Sequence, residues 1–167
     1  SGIAVNCLGH SNTKLIKALE FQSKKLWHTS NLYRISEQEI LAKKLCEYSF
    51  ADKAFFCNSG AEAMEAVIKI IRRYHYMRGD HNRKNIIVLN NAFHGRTLTT
   101  IQAGSNKFHR EGFLAKNNCD CGFSRVLSND IAFLIKNFCV AGSCSIPIST
   151  PRSPRATSKP SAAFVIL

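Results

Sequence analysis

Short apolar segments alternate with longer segments of helical pattern over residues 1–137. The apolar segments Ile3–Leu8, Ala54–Cys57, Ile86–Leu89 and Ser124–Leu127 have the length and composition of short strands. Strands that alternate with helices favour an α/β domain with a largely parallel sheet, since a parallel pair needs a crossover connection. We therefore predict a fold of the α/β class.

Caps and residue spacing predict two helices between the first and second strands, one in each later interval and one after the last strand. Ser36 with Glu39 and Ser59 with Glu62 have the spacing of capping boxes, and Gly79 is placed to end the helix that begins near residue 60. The predicted helices are 12–25, 36–48, 60–78, 97–103 and 130–137.

The helix predicted over 60–78 has two faces. Its apolar positions share one face at helical spacing, which we expect to be the buried face: Ala63, Val67, Ile70, Tyr74 and Met77. Glu65 and Lys69 lie on the polar side, at the separation of an ion pair on the helix surface.

The composition changes abruptly near residue 138. All four prolines lie between Pro147 and Pro160, and residues 138–167 contain six serines and no acidic residue. Such a stretch lacks the apolar pattern needed for a packed core. We predict that residues 138–167 form a disordered tail, or one translated from a shifted reading frame, and that the folded domain covers residues 1–137.

Charge and hydropathy exclude several classes of protein. The net charge is +12, but the basic residues are scattered and acids lie among them, a pattern more typical of a solvated surface than of a nucleic-acid site. The longest apolar run is six residues, Ala162 to Leu167, whereas a membrane-spanning helix needs about 20. We predict a cytoplasmic protein without a membrane or nucleic-acid partner.

The seven cysteines do not have the spacing of a metal site. Cys119 and Cys121 are separated by one residue, which is poor geometry for two zinc ligands. We predict reduced thiols and no bound metal.

The segment from Cys57 to Ala63 joins a strand end, a turn of small residues and a helix start. At Gly60 and Ala61 the backbone N–H groups could approach an anion, and the helix dipole would favour a phosphate there. The same pattern is typical of a well-capped helix after a tight turn, so the segment alone leaves both interpretations open. Neither nucleotide-binding glycine pattern is present.

A second segment, Asn91 to Thr97, follows the strand predicted at Ile86–Leu89. Phe93 could stack on a planar cofactor, and Arg96 could bind a carboxylate through two hydrogen bonds. Ligands of α/β sheets bind at the carboxyl ends of strands, where both segments lie.

These segments and three others resemble the class III, pyridoxal-phosphate-dependent aminotransferases, and in particular the members that act on N-acetylornithine. The matching segments occur in family order: Ser1–His10, Leu26–Ile35, Phe56–Ala63, Arg72–His75 and Ala92–Thr97. The fold implied is part of the large, cofactor-binding domain of the aspartate aminotransferase-like transferases.

The resemblance implies roles for four residues. Gly60 and Ala61 would bind the phosphate of pyridoxal 5'-phosphate, Phe93 would stack on its ring, and Arg96 would bind a carboxylate of the substrate. The activity implied is transfer of an amino group from N-acetylornithine to 2-oxoglutarate, by a homodimer.

The resemblance covers only residues 1–137, so it implies the N-terminal fragment of a longer protein. No lysine stands in a motif like the Schiff-base site of the family, so we assign no catalytic residue to this chain. The alternative is a protein without transaminase activity, either a non-catalytic remnant or a basic binding protein.

Overall fold

A computed structural model describes residues 2, 5–114, 122–127 and, for the backbone alone, 164–166. The helices are α1 Thr13–Ser23, α2 Ser36–Tyr48, α3 Gly60–Met77, α4 Leu98–Ala103 and α5 Lys107–Arg110. The strands are β1 Lys53–Phe55, β2 Ile86–Leu89, β3 Phe123–Val126 and β4 Phe164–Ile166. The chain divides into two compact units, residues 1–43 and residues 44–167.

The first unit contains α1 and the beginning of α2. Asn12 caps α1, since its side chain accepts hydrogen bonds from the N–H groups of Lys14 and Leu15. The predicted capping box of α2 is wrong. Ser36 is the first helical residue, its hydroxyl donates to Glu37, and the Glu39 carboxylate instead accepts from Arg34 at 2.6 and 2.7 Å. Those two bonds hold the pKa of the Glu39 carboxyl below its ordinary value.

The second unit is built on parallel strands, as the alternation of elements predicts. In β2 and β3, Ile86 pairs with Phe123 and Leu89 with Val126; β1 pairs with β4, Lys53 opposite Phe164. The four described strands thus form two parallel pairs, and helix α3 connects β1 of one pair to β2 of the other. The core lies between α3, α4 and the β2–β3 pair and consists of Ile68, Val88, Ala103 and Phe123. Burying a side chain such as Ile68, 2% exposed, contributes about 2 kcal/mol.

The end of α3 is the one that the sequence predicts. Gly79 has a φ of +80°, its N–H donates to the carbonyl of Tyr76, and the N–H of Asp80 donates to the carbonyl of His75. These two bonds define a Schellman motif, in which a left-handed residue reverses the chain after the last turn.

The buried face of α3 is not the predicted one. Ile68, Ile71 and His75 are buried, whereas Tyr74 and Met77, assigned to the core from their spacing, are 48% and 66% exposed. The helix carries apolar residues on two sides, and the position of the sheet decides which side is covered.

Other predictions fall partly or wholly outside the described residues. Val5 to Leu8 form turns rather than the predicted strand, while Ile3 and Ala4 are not described. The helix predicted at 130–137 also lies outside them. Within 138–167 only β4 is described, a strand that the sequence analysis does not predict, so the disordered tail stays a prediction.

No helix among the described residues is both long and apolar enough to span a membrane. In the same part of the chain, His, Cys, Asp and Glu side chains form no cluster of three or more that could hold a metal ion.

Candidate functional site

The first part of the site is the N-terminus of α3. Ser59 is the N-cap in extended conformation, with φ −156° and ψ 161°, and its hydroxyl accepts from the N–H of Glu62 at 3.2 Å. The Glu62 carboxylate turns back and accepts from the N–H of Asn58 at 2.7 Å. The predicted Ser59 cap is confirmed, but the carboxylate bonds to the residue before the N-cap rather than to Ser59, so only the first half of the predicted capping box is formed.

Gly60 and Ala61 are the first two residues of α3, where the helix has no acceptors of its own for their N–H groups. Neither N–H donates to another group among the described residues. Gly60 is exposed, and a Cβ built there would meet nothing within 4 Å. These two amides are therefore open to an anion at the positive end of the helix dipole.

The second part of the site is the loop that follows β2. Asn91 has a φ of 61°, and its N–H donates to the hydroxyl of Ser105 at 2.7 Å, which fixes the start of the loop. Gly95 is buried with a φ of +129°, and a Cβ there would lie 2.7 Å from the Cβ of Ala61. The absence of a side chain at Gly95 thus lets the loop contact α3 directly.

The Gly95–Ala61 contact brings together the two segments that the sequence analysis singles out. Arg96 follows Gly95 in the chain, and its guanidinium carbon lies 5.6 Å from the centroid of the Phe93 ring. Phe93 also makes an edge contact with His109, at 6.1 Å between ring centroids and an angle of 81°. The ring remains 66% exposed, so a planar ligand could still cover it.

A hydrogen bond between distant residues also holds this loop on α3. The Thr97 hydroxyl donates to the Glu65 carboxylate at 2.5 Å and accepts from the N–H of Thr100 at 3.3 Å, as the N-cap of α4. The predicted surface pair of Glu65 and Lys69 is not among the ion pairs of the described residues. Glu65 instead positions the loop that carries Phe93 and Arg96.

We expect Thr97→Val to lower the free energy of unfolding by about 2 kcal/mol, because it removes both a helix cap and a hydrogen bond to a carboxylate. Urea unfolding followed by circular dichroism measures the change. Thr97→Ser keeps the hydroxyl and is the matched control. An equal loss in both variants would contradict the role given to the hydroxyl.

His94 lies between Phe93 and Gly95, and burial lowers the pKa of its imidazole below the ordinary value of 6.5. Its Nε2 atom is buried and has no hydrogen-bond partner in the described part of the chain. The imidazole is thus held neutral within the loop, where it could accept or donate a hydrogen bond at a bound ligand.

The lowered pKa of His94 has a consequence for stability. The unfolded chain binds this proton near pH 6.5 and the folded chain only at lower pH. The contribution of neutral His94 is therefore complete above pH 6.5 and is lost as the pH falls toward the lower, folded-state pKa. We expect urea unfolding between pH 5 and 8 to show a smaller loss in His94→Gln than in the original chain. His28→Gln changes an exposed histidine as the control, and equal slopes in all three proteins would contradict the prediction.

The sequence analysis names Gly60, Ala61, Phe93 and Arg96, but it misses the residues that join them. Gly95, Glu65 and Thr97 make their contacts across more than 30 positions of sequence. The signal for Gly95 is a glycine in a loop at a strand end, which alone does not say what approaches it.

The second unit combines parallel strands with an open N-terminus of α3. An aromatic–arginine loop, which carries Phe93 and Arg96, follows β2. This arrangement agrees with the family that sequence comparison finds. The family model of the class III aminotransferases matches residues 1–166, so the match extends beyond the residues 1–137 that the motifs cover. The chain belongs to the class III aminotransferases.

Within this family the similar curated proteins are acetylornithine aminotransferases. The chain is 50% identical over 131 residues to that of Agrobacterium fabrum, which covers 78% of this chain and 32% of the relative. It is 52% identical over 134 residues to that of Brucella melitensis, and this match covers 80% of this chain and 32% of the relative. The chain therefore spans about a third of the length of the curated relatives it matches.

Solved structures agree on the fold. The ornithine aminotransferase of Toxoplasma gondii superimposes with a TM-score of 0.72 at 21% identity, covering 99% of this chain and 35% of that one. An engineered thermostable omega transaminase gives a TM-score of 0.66 at 32% identity, and this match covers 75% of this chain and 28% of that one. The predicted fold class, part of an aspartate aminotransferase-like α/β domain, is confirmed.

Proposed function

We propose that this chain supplies the N-terminal part of an acetylornithine aminotransferase, which moves the amino group of N-acetylornithine to 2-oxoglutarate in arginine biosynthesis. Relatives of that name, about half identical to the chain, support the choice of substrate. The observation that carries the proposal is the contact of Gly95 with Ala61, because it joins the anion-binding end of α3 to the aromatic–arginine loop.

Pyridoxal 5'-phosphate is the cofactor that the family implies, and the residues present fit part of it. Its phosphate would accept from the amides of Gly60 and Ala61, which have no other acceptor among the described residues. The space beside Gly60 is open to the phosphate oxygens. When bound, the cofactor supplies an electron sink for the carbanion that forms as the substrate loses a proton.

Phe93 is proposed to bind the pyridine ring. Its own ring is held from one side by His109 and from another by Arg96, and two thirds of its surface is exposed. An aromatic ring fixed in this way gives an offset-stacked partner for a planar ligand, and it excludes water from one face of that ligand.

Arg96 is proposed to bind a carboxylate of the substrate. Its guanidinium is exposed and has no hydrogen-bond acceptor in the described residues, while its contact with the Phe93 ring limits the positions it samples. A guanidinium fork binds a carboxylate through two parallel hydrogen bonds, which orients the substrate as well as holding it.

The chain does not supply the whole site. No lysine of this sequence stands in a motif like the one that bonds covalently to the cofactor in the family, and we propose that this group belongs to the part of the relatives that the chain does not span. We propose further that the complete enzyme is a cytoplasmic homodimer acting on small molecules.

A pair of substitutions at Gly60 tests the phosphate site. Gly60→Pro removes the N–H but suits the first position of a helix, and the extended Ser59 before it has the backbone conformation that precedes a proline. Gly60→Ala keeps the N–H and meets no neighbour. Binding of pyridoxal phosphate and of pyridoxal is measured for both variants by isothermal titration calorimetry.

We expect Gly60→Pro to weaken pyridoxal phosphate about tenfold, the effect of losing one charge-assisted hydrogen bond, and to leave pyridoxal unchanged. Gly60→Ala should bind both as the original chain does. Equal affinity of the original chain for pyridoxal phosphate and pyridoxal would contradict the phosphate site and favour the alternative, a protein without a cofactor role.

A further inference from the structure

A basic cavity of about 640 Å³ lies at the end of the sheet opposite the candidate site. Asn85 and Gly122, which line it, directly precede the parallel strands β2 and β3, so the cavity lies at their amino ends. The loop of Phe93 and Arg96 follows the carboxyl end of β2. Arg72, which also lines the cavity, lies roughly 18 Å along α3 from Gly60. The two regions are therefore separate.

Four cationic side chains line this cavity, Arg72 and Arg73 from α3 and Arg83 and Lys84 from the loop after it. Among the described residues that line it, the one carboxylate is that of Asp80, which lies 3.6 Å from Nδ1 of His75. Arg83 and Lys84 have no ion-pair partner in the described part of the chain. Four cationic residues thus border a space of the size that binds small molecules.

The fold holds these cations together. The Schellman motif at Gly79 turns the chain back beside α3, and the N–H of Arg83 donates to the Asp80 carbonyl at 3.0 Å. A Cβ at Gly122 would lie 2.9 Å from both Nη2 of Arg72 and the carbonyl oxygen of Lys84. Because Gly122 lacks a side chain, the Arg72 guanidinium and the backbone of the loop can both lie close to it.

Aromatic rings order the rim. The Tyr76 ring lies 4.9 Å from the His81 ring and 5.6 Å from the guanidinium carbon of Arg73. Stabilisation of the helix dipole does not explain these cations, because Arg72 and Arg73 precede the last turn of α3, in which His75 is the basic residue. Arg83 and Lys84 belong to the loop that follows.

We propose that this cavity binds a small molecule with two or more phosphate groups, at a site independent of the candidate cofactor site. Several cations around one concave space match a ligand with several adjacent negative charges better than they match a single carboxylate. Inorganic pyrophosphate is the simplest probe of this chemistry.

The test is titration of the 167-residue chain with pyrophosphate and with orthophosphate, by calorimetry at low and at high salt. We expect pyrophosphate to bind more tightly than orthophosphate, and its affinity to fall as salt screens the charges. The double variant Arg83→Gln, Lys84→Gln should weaken pyrophosphate at least tenfold. Lys14→Gln with Lys17→Gln removes the same charge from α1 and should change the affinity less than twofold.

Two further measurements distinguish this cavity from the other surfaces of the chain that could bind phosphate. Gly60→Pro should leave pyrophosphate affinity unchanged; if it abolishes binding while the Arg83, Lys84 variant does not, the ligand binds at the N-terminus of α3 and the proposal is wrong. If pyrophosphate does not bind, but a single-stranded RNA oligomer binds and loses affinity in the Arg83, Lys84 double variant, the proposal is wrong and the surface binds nucleic acid. Equal losses of pyrophosphate affinity in the Arg83, Lys84 variant and in the Lys14, Lys17 variant would also overturn the proposal.

Discussion

Gly95→Ala is expected to lower the free energy of unfolding by about 3 kcal/mol, the sum of a backbone and a steric cost. Its φ of +129° is a conformation that side chains rarely adopt. The new Cβ would also lie 2.7 Å from the Cβ and 3.1 Å from the Cα of Ala61, and neither atom can rotate away. Denaturant unfolding measures the loss.

The control is Gly60→Ala, which adds the same methyl group where nothing lies within 4 Å. It should leave stability within about 1 kcal/mol of the original, in the stabilising direction, because alanine favours a helix over glycine. Gly95→Ala combined with Ala61→Gly removes the contact at 2.7 Å but leaves those with Thr100 Oγ1 at 2.9 Å and the Cα of residue 61 at 3.1 Å, so it should recover only part of the loss. Stability of Gly95→Ala equal to that of Gly60→Ala would show that the loop does not pack on α3.

The local features of the fold could be predicted from the sequence because their causes are local. Three features depend on residues within a few positions of one another: the cap of α3 by Ser59, the end of α3 at Gly79 and the bounds of Ile86–Leu89. The same reasoning fails for Ser36, whose neighbour Arg34 binds the Glu39 carboxylate that a capping box would need.

The features that could not be predicted depend on which segments meet. Helix α3 has apolar residues on two sides, and only the position of the sheet shows that Ile68 and Ile71 are covered while Met77 is exposed. Glu65 looks like one half of a helix-surface ion pair until Thr97 is placed beside it. The candidate site has the same character: its residues could be named from the motifs, but the contact of Gly95 with Ala61 requires the fold.

Which functional groups of the family this chain contains determines the activity that we expect of it. The contacts that we propose for a phosphate, a ring and a carboxylate all serve to bind or orient a ligand. Moving a proton requires a base whose pKa is tuned by burial or by a neighbouring charge. Every lysine in the described part of the chain is exposed, so none has the desolvated environment that activates a lysine as a nucleophile.

We therefore expect the 167-residue chain to bind pyridoxal phosphate without transaminating N-acetylornithine with 2-oxoglutarate. Loss of general acid–base catalysis alone costs about 10²–10⁴-fold in rate, so turnover should not exceed the background of free cofactor. Lys107 is the strictest test among the described lysines, since α5 also carries His109, which contacts Phe93. Its side chain is 82% exposed, and its Nζ lies 3.9 Å from the Glu111 carboxylate.

The measurement is incubation of the chain with cofactor, reduction with borohydride and mapping of any pyridoxyl-lysine by mass spectrometry, beside an assay of turnover. The full-length relative from Agrobacterium fabrum, treated identically, should be labelled at one lysine and turn over. Scattered labelling below one group per chain, without turnover, is the expected result, because solvated lysines differ little in reactivity. Stoichiometric labelling of one lysine together with turnover above background would show that the chain holds its own catalytic base, and Lys107→Arg would then identify or exclude Lys107 as that residue.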